Sequence, residues 1–149
     1  MRWNAVGVVD AAVTERLLDA GEEAGLRAAA EVRAADPAYL PDSAPERAVD
    51  ARLGELAVTV ALRRHGRGGG KDLRDVALVV GSGGVLRHGT AARRRQVLAP
   101  ATGDLTGGWP LPEAARTVVD ESYVLAAAGL LASEHPATAA RLLSHHLGA

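Results

Sequence analysis

Apolar side chains recur at three- and four-residue spacing through the first half of the chain, as on one face of a helix. The clearest such segment covers residues 49–65 and ends in cationic side chains, which suit a helix carboxyl end. Segments rich in alanine, glutamate and arginine predict shorter helices over residues 12–18 and 22–35, with Gly21 as a stop between them. The first half of the chain is therefore predicted to be helical.

Two segments rich in helix-breaking residues flank the helix at residues 49–65. Three prolines fall within residues 36–47, and because a residue before proline is disfavoured in the helical region, we expect an extended Pro-rich connector there. Four of the seven residues 66–72 are glycine, which predicts a flexible Gly-rich loop. The chain has the length of one domain, and we predict a single domain over residues 1–149.

The second half of the chain alternates short apolar runs with helical segments. Residues 75–80 form an apolar, β-branched run that predicts a buried strand, and residues 116–119 predict a second, short one. Helices are predicted over residues 90–98 with Thr90 as the cap, over residues 120–131 with Asp120 as the cap, and over residues 136–147 from Pro136. The predicted fold class is α/β and helix-rich, with one or two short strands and about six helices.

The helix that follows the second predicted strand is narrow. Its segment Ala126-Ala127-Ala128-Gly129 carries only small side chains or none. A helix surface without bulky side chains lets another backbone approach closely. We therefore expect another element to pack tightly against it.

Composition excludes several classes of function. Seventeen basic and eighteen acidic residues give a net charge of -1, which supplies no overall field for capturing nucleic acid or an anionic membrane. The chain has no cysteine, which excludes disulfides, thiolate nucleophiles and zinc–sulfur sites. Its apolar stretches are shorter than the roughly 20 residues of a membrane-spanning helix, and no signal-like segment opens the chain, so we expect a cytoplasmic protein without a membrane span.

The most informative candidate site is the turn Gly81-Ser82-Gly83-Gly84, directly after the first predicted strand. Glycines lack Cβ, accept positive φ, and let backbone amides come close to a phosphate or a nucleotide ring. The spacing matches neither the G-x-G-x-x-G fingerprint nor the phosphate loop of P-loop proteins. A tight strand-to-helix turn without any ligand is the alternative explanation.

Several cations are weaker candidates for ligand contact. Lys71, the only lysine, stands just before the first strand and could meet a phosphate, although an exposed loop lysine would look the same. Arg63 and Arg64 could stack on a nucleotide base, or simply form a solvated helix end. The run of three arginines at residues 93–95 lacks interleaved aromatic residues and is interpreted as a solvated helix face.

The sequence predicts no self-contained active site. Asp120 and Glu121 are neighbours rather than a facing carboxylate pair, and no serine lies in a nucleophile-elbow pattern. His145 and His146 are adjacent, so on a helix they point in different directions, and partners for a metal are not evident. We assign neither a catalytic residue nor a metal ligand.

Three segments in order along the chain resemble the glutamate-mutase-associated MutL family, which is distinct from the mismatch-repair protein of the same name. They are residues 70–73, residues 79–86 with the glycine turn, and residues 120–132. The opening residues 1–4 and the helix that leads into Arg64-His65 are also similar to that family. The resemblance thus covers essentially the whole chain and is most specific over residues 70–132.

This resemblance implies a nucleotide site. The family is similar to the actin, sugar kinase and Hsp70 ATPase superfamily, whose ribonuclease H-like lobes close over ATP. By that similarity the turn at residues 80–84 would lie against the adenosine of ATP or ADP, and the helix at residues 126–132 would pack behind it. The helix that carries Glu55 and Arg63 would flank adenine and ribose, and magnesium would enter only with the nucleotide.

The resemblance also implies partners. Members of the family carry a long amino-terminal lobe with the first phosphate loop and the acidic residues that position metal and water, so this chain is expected to be the carboxy-terminal lobe and inactive in hydrolysis on its own. The family context implies an accessory or reactivating role for an adenosylcobalamin-dependent glutamate mutase or related aminomutase. The alternatives are a non-catalytic helical interaction module and a truncated gene product without independent function.

Overall fold

Helices dominate the part of the chain that the computed structural model describes, which is residues 4–68, 72–103 and 108–148. The elements in chain order are α1 (Ala5–Thr14), α2 (Ala20–Ala35), α3 (Ala44–Gly68), β1 (Leu78–Gly81), α4 (Gly84–Arg87), α5 (Ala91–Leu98), α6 (Pro100–Gly103), β2 (Arg116–Val119), α7 (Val124–Leu131) and α8 (Pro136–Leu147). The elements α4 and α6 are single turns of four residues. The helix-rich α/β class is thereby confirmed, with two short strands.

Helices α1, α2 and α3 form a bundle, called here the helical bundle, around one apolar core. The core joins six buried side chains, which are Val9, Ala12, Leu26, Ala30, Leu53 and Leu56. Leu53 and Leu56 lie on the face of α3 that the sequence pattern predicted. Asn4 and Asp19 cap α1 and α2, since their side-chain oxygens accept hydrogen bonds from backbone amides three residues on, at 2.9 and 2.7 Å.

Arginines link the helices of this bundle to one another. Arg33 of α2 donates from Nε to Asp50 at 2.5 Å and from Nη2 to the Glu46 carboxylate at 2.7 Å, both on α3. Arg27 of α2 donates to Asp10 of α1 at 2.7 Å. The helices are therefore held by paired charges at their surface as well as by their apolar core.

The boundaries of the first three helices differ from the predicted ones. The first helix begins at Ala5 rather than at residue 12, because its β-branched residues bury side chains in the core and outweigh their weak helix propensity. Gly21 is not a stop but lies in the first turn of α2. Pro45 lies in the first turn of α3, where a missing amide hydrogen costs nothing, so the connector ends before Ala44 and is shorter than predicted.

The far end of α3 also runs beyond the prediction. Residues 66–68 of the predicted Gly-rich loop continue the helix, and residues 69–71 lie outside the described residues. The helical conformation brings Gly66 against the loop at residues 108–112: a Cβ on Gly66 would meet Pro110 Cδ at 3.4 Å. The guanidinium of Arg67 lies 4.9 Å above the Trp109 ring. This end of α3 therefore joins the helical bundle to the rest of the molecule.

The remaining elements, from β1 to α8, are called here the sheet half. Strands β1 and β2 are parallel, with Leu78 opposite Arg116 and Gly81 opposite Val119. Parallel strands need a long crossover connection, and residues 82–115 supply it. Within this crossover, α4 and α5 pack on α3 through a second core of four buried side chains, which are Ala51, Leu86, Val97 and Leu98.

Helices α7 and α8 form a hairpin at the end of the chain. The guanidinium of Arg116 donates to the carbonyl oxygens of Leu147 and Gly148, at 3.2 and 2.6 Å, and so holds the end of α8 against β2. On α7 only Val124 and Ala128 are buried, whereas Leu130 is 84% exposed. No element of the described chain covers the outer face of α7.

Candidate functional site

The glycine turn lies at the end of the first strand, as the sequence predicted, but β1 covers residues 78–81 rather than 75–80, and the helical turn α4 begins at Gly84. Gly81 is fixed there by packing. A Cβ at Gly81 would lie 2.7 Å from Leu86 Cδ1 and 2.9 Å from Leu98 Cδ2. Both leucines belong to the second core. Gly81 therefore allows α4 and α5 to close over the end of the strand, which is a structural role.

The next two glycines differ from Gly81. Gly83 has φ +127° and ψ 164°, a conformation that only glycine adopts without strain. A Cβ at Gly83 or at Gly84 would meet nothing within 4 Å among the described residues, and Ser82 is exposed. The backbone of the turn is thus open on this side, as the approach of a ligand to main-chain atoms requires.

The loops that follow both strands meet at one edge of the sheet. The backbone amide of Asp120, the first residue after β2, donates to the Gly81 carbonyl at 2.9 Å. The Asp120 side chain is only 1% exposed, and its two oxygens accept from the amides of Val124 and Leu125 at 2.8 and 3.1 Å. Asp120 thus accepts the first two amides of α7, as a cap does, although the helix begins at Val124 rather than at residue 120. It also holds the loop of residues 120–123 beside the glycine turn.

Two arginines and a tyrosine at this edge were missed by the reasoning from sequence. Tyr123 has φ +55°, which is uncommon for a residue other than glycine, and the Arg87 guanidinium lies 4.6 Å above its ring. Arg94 donates to the carbonyl oxygens of Leu86 and Arg87, at 2.8 and 2.9 Å, and pairs with the carboxylate of Glu121. These contacts tie the loop after β2 to α4, and they show that Arg94 is not part of a solvated face.

A second concave site lies along α3. It is an open cleft of about 350 Å³. Its lining residues come from the loop after α1, from α3, and from α6 with the residue before it, and are Leu17, Arg52, Glu55, Leu56, Thr59, Ala99, Pro100 and Gly103. Glu55 is therefore the predicted site residue that the structure places in a cleft.

Polar contacts organise the α3 side of this cleft. Arg52 donates from Nε to Glu22 Oε1 at 2.6 Å and lies 3.3 Å from a Glu55 carboxylate oxygen. The hydrogen bond to Glu22 raises the pKa of the Arg52 guanidinium above its ordinary value, so this group is always charged. Thr59 Oγ1 donates to the Glu55 carbonyl at 2.9 Å. The cleft thus offers a fixed cation, a carboxylate and a hydroxyl beside apolar walls.

The other predicted site residues lie elsewhere. Arg63 reaches toward the Glu15 carboxylate at 3.9 Å, and neither it nor Arg64 lines the cleft. Lys71 lies outside the described residues. The glycine turn does not line the cleft either, but α5 connects the two: Leu98 packs on Gly81, and the next residue, Ala99, lines the cleft. The structure therefore separates the candidate residues into two neighbouring places.

Among residues 4–68, 72–103 and 108–148, no three acidic or histidine side chains converge as metal ligands would. In the same ranges no helix is long and apolar enough to cross a membrane.

Comparison with known proteins gives a family. The sequence matches the family described as MutL protein over residues 1–147. It is 27% identical over 164 residues to Protein MutL of Clostridium tetanomorphum, with 99% of this chain and 35% of that protein covered. The chain thus spans about a third of the length of this curated relative. No solved structure matches the sequence.

Proposed function

This chain belongs to the MutL family, and on that premise we propose that it is a nucleotide-binding lobe that takes ATP or ADP. The observation that carries the proposal is the open backbone at Gly83 and Gly84, at the carboxyl end of a parallel strand. Ligands of open α/β sheets bind outside the carboxyl ends of the strands. The glycine turn would lie against the nucleotide, with magnesium bound only through its phosphates.

Glu55 is proposed to meet the base or the ribose. Its carboxylate can accept hydrogen bonds from a ribose hydroxyl, and it lines a cleft that has apolar walls. Arg63, Arg64 and Lys71 remain weaker proposals as contacts of the base and the phosphates. Hydrolysis also needs a metal-positioning carboxylate and a positioned water, which we propose come from an amino-terminal lobe.

The biological role that we propose is that of an accessory or reactivating factor for an adenosylcobalamin-dependent glutamate mutase or a related aminomutase. Family membership supports this role. The actin-like and Hsp70-like relationship of the lobe is part of the same proposal.

Isothermal titration of the chain with ATP and with ADP tests nucleotide binding. Gly84→Leu fills the open face of the turn without meeting any described atom at its Cβ, so we expect it to weaken binding at least about tenfold while the unfolding midpoint in urea stays unchanged. Gly25→Leu is the matched control, because Gly25 is also exposed and open but lies on α2. Absence of binding by the unchanged chain, or equal affinities for both variants, would contradict the proposal.

Glu55→Gln tests the cleft separately. The substitution keeps the shape of the side chain and removes its charge, so we expect a loss of affinity of about three- to tenfold if Glu55 accepts hydrogen bonds from ribose. Glu31→Gln, on the exposed face of α2, is the control. If Glu55→Gln binds as the unchanged chain does, the nucleotide does not reach the cleft.

A non-catalytic interaction module is the second candidate function. It is favoured by the uncovered apolar face of α7 and by the outer edges of β1 and β2, which pair with no other described strand. Under this proposal the chain binds an aminomutase subunit whether or not nucleotide is present. Co-purification with a purified mutase subunit that persists after Gly84→Leu would select it.

A further inference from the structure

Helices α4 and α5 and the turn between them carry a local excess of positive charge. Residues 84–98 contain no acidic residue. They contain five cationic or titratable side chains, called here the arginine corner, which are Arg87, His88, Arg93, Arg94 and Arg95. The whole chain has a net charge of -1, so this corner departs from the charge balance of the rest of the molecule.

Most of these charges have no acidic partner in the described structure. Arg94 alone pairs with a carboxylate, that of Glu121. Arg87 lies on the Tyr123 ring, and Arg93 and Arg95 meet none of the described carboxylates. In the helical bundle, by contrast, Arg27, Arg33 and Arg52 each pair with at least one acid, as the ion pairs with Asp10, Asp50 and Glu22 show.

The side-chain charge near the amino end of α5 is unfavourable for the dipole of this helix. The amino end of a helix is positive and favours acidic side chains, yet α5 has no acid in its first turn and carries Arg93 and Arg94 close to that end. The Thr90 hydroxyl oxygen accepts a hydrogen bond from the Arg93 amide and so caps the helix, but this side chain is uncharged. An anionic group placed here would relieve repulsion that the free protein contains.

We propose that the arginine corner is a docking surface for an acidic segment of a partner protein. Arginine forks match carboxylates in a bidentate geometry, and exposed arginine and tyrosine side chains are enriched in protein interfaces. Arg87, Arg95 and Tyr123 are all exposed. The positive charge of this surface is complementary to an acidic segment and would repel a cationic segment.

The size of the corner favours a protein segment over nucleic acid. Helix α5 has eight residues and is therefore about 12 Å long, so a nucleic acid would run past it onto a chain that is otherwise acidic. The Tyr123 ring is already covered by Arg87 and is not a free stacking platform. Because Arg94 faces α4 and Glu121, Arg93 and Arg95 flank the outer face of α5, and a short run of carboxylates that crosses this face can reach both.

Fluorescence anisotropy of a labelled oligoglutamate peptide tests this surface on the full chain. We expect salt-sensitive binding that Arg93→Glu with Arg95→Glu weakens at least about tenfold, because charge reversal repels the peptide. Arg93→Lys with Arg95→Lys keeps the charge but removes the forks, so we expect a loss of binding that is smaller than the loss on charge reversal. Arg141→Glu, an exposed arginine of α8, is the matched control and should change the affinity less than about twofold.

Several outcomes would overturn the proposal. One is no binding of the peptide at low salt, and another is equal binding by the charge-reversed variant. Tighter binding of an oligothymidylate of equal charge would assign the corner to nucleic acid. Sedimentation of a dimer that dissociates after Arg93→Glu with Arg95→Glu would assign it to a second copy of this chain. Since Gly84→Leu leaves these arginines intact, loss of nucleotide binding and loss of peptide binding are separately measurable.

Discussion

The helical bundle and the sheet half differ in how far their charged side chains are paired with one another. In the bundle, arginines bridge neighbouring helices to acids that are distant in sequence, as Arg33 does with Asp50 and Arg52 with Glu22. In the sheet half the only ion pair between distant described residues joins Arg94 to Glu121. The bundle thus satisfies its charges internally, whereas the sheet half presents them outward.

Both parts have buried apolar side chains, and the sharpest contrast in apolar exposure is between the bundle core and α7. Val9, Ala12 and Ala30 of the bundle core are completely buried. In the sheet half, α7 consists of apolar residues and glycine alone, yet Leu125 is 38% and Leu130 84% exposed. A region that leaves both charge and apolar surface uncovered is suited to contacts with other molecules. We therefore expect substitutions in the bundle to affect stability and those on the sheet half to affect binding.

The strongest test of this contrast compares two leucines. Leu56→Ala removes a side chain that is 2% exposed from the bundle core, and we expect it to lower the free energy of unfolding by about 3 kcal/mol. Leu130→Ala on α7 should change it by less than about 0.5 kcal/mol. Urea denaturation measures both. A similar loss for both variants would show that α7 is covered in solution.

A second test compares two glycines of the same turn. Gly81→Ala would place a Cβ within 2.7 Å of Leu86 and is expected to cost about 2 kcal/mol of stability by overpacking. Gly84→Ala meets no described atom and should be neutral within about 0.5 kcal/mol. Thermal unfolding followed by circular dichroism distinguishes them. If Gly84→Ala is the more damaging, the turn is not open where the structure places the opening.

A third test compares the helix caps of the two parts. Asp120→Ala leaves two amides at the start of α7 without their acceptor in a buried place, so we expect a loss of about 2 kcal/mol. Asp19→Ala at the start of α2 removes an exposed cap, for which about 1 kcal/mol is typical. Hydrogen exchange of the Val124 and Glu22 amides reports each helix start directly. Equal losses would mean that burial of Asp120 adds nothing to the cap.

The smallest effect concerns pH. The side-chain hydrogen bond from Arg33 is the largest cause of the lowered pKa of Glu46, and the hydrogen bond from Tyr39 is the second. Hydrogen bonds from Arg74 lower the pKa of Asp72 from 3.8 to about 2. A carboxylate with a lowered folded-state pKa stabilises the fold above its unfolded pKa, and this contribution is lost as the pH falls through the folded value. Stability should therefore fall slightly below pH 4.5 for Glu46 and below pH 3.8 for Asp72.

NMR titration of the carboxyl groups measures the pKa values of Glu46 and Asp72 directly. We expect Arg33→Gln to raise the pKa of Glu46 toward 4.5 and Arg74→Gln to raise that of Asp72 toward 3.8. Because the Asp72 and Arg74 side chains are half exposed, Arg74→Gln should leave the unfolding midpoint at neutral pH nearly unchanged. An Asp72 titration unaffected by Arg74→Gln would rule out the pair as the cause.

Local patterns predicted much of the fold. The face of α3, the strand at residues 116–119, the Thr90 cap and the last helix from Pro136 to Leu147 are all confirmed. Each depends on spacing or on a cap within a few residues. The early start of α1 was not predictable from propensity, because tertiary burial of its valines decides it.

The candidate site was less predictable. The glycine turn is visible as a motif, but the cleft arises because residues 17, 52–59 and 99–103, distant in sequence, come together. The close packing expected for the narrow helix is present on one side, where α8 packs on α7 and Ala128 is buried, but a Cβ at Gly129 would meet nothing within 4 Å. A narrow helix indicates that close packing is possible and does not name what packs there.

The contact between Arg67 and Trp109 gives the molecule an internal optical probe. Tryptophans occur at positions 3 and 109 alone, so Trp3→Phe would leave Trp109 as the single indole emitter. Because this ring lies under a guanidinium at the junction of the two parts, its emission should change when they separate, even if every helix stays formed. Fluorescence and ellipticity recorded during the same denaturant titration would then show whether the bundle and the sheet half come apart before they unfold.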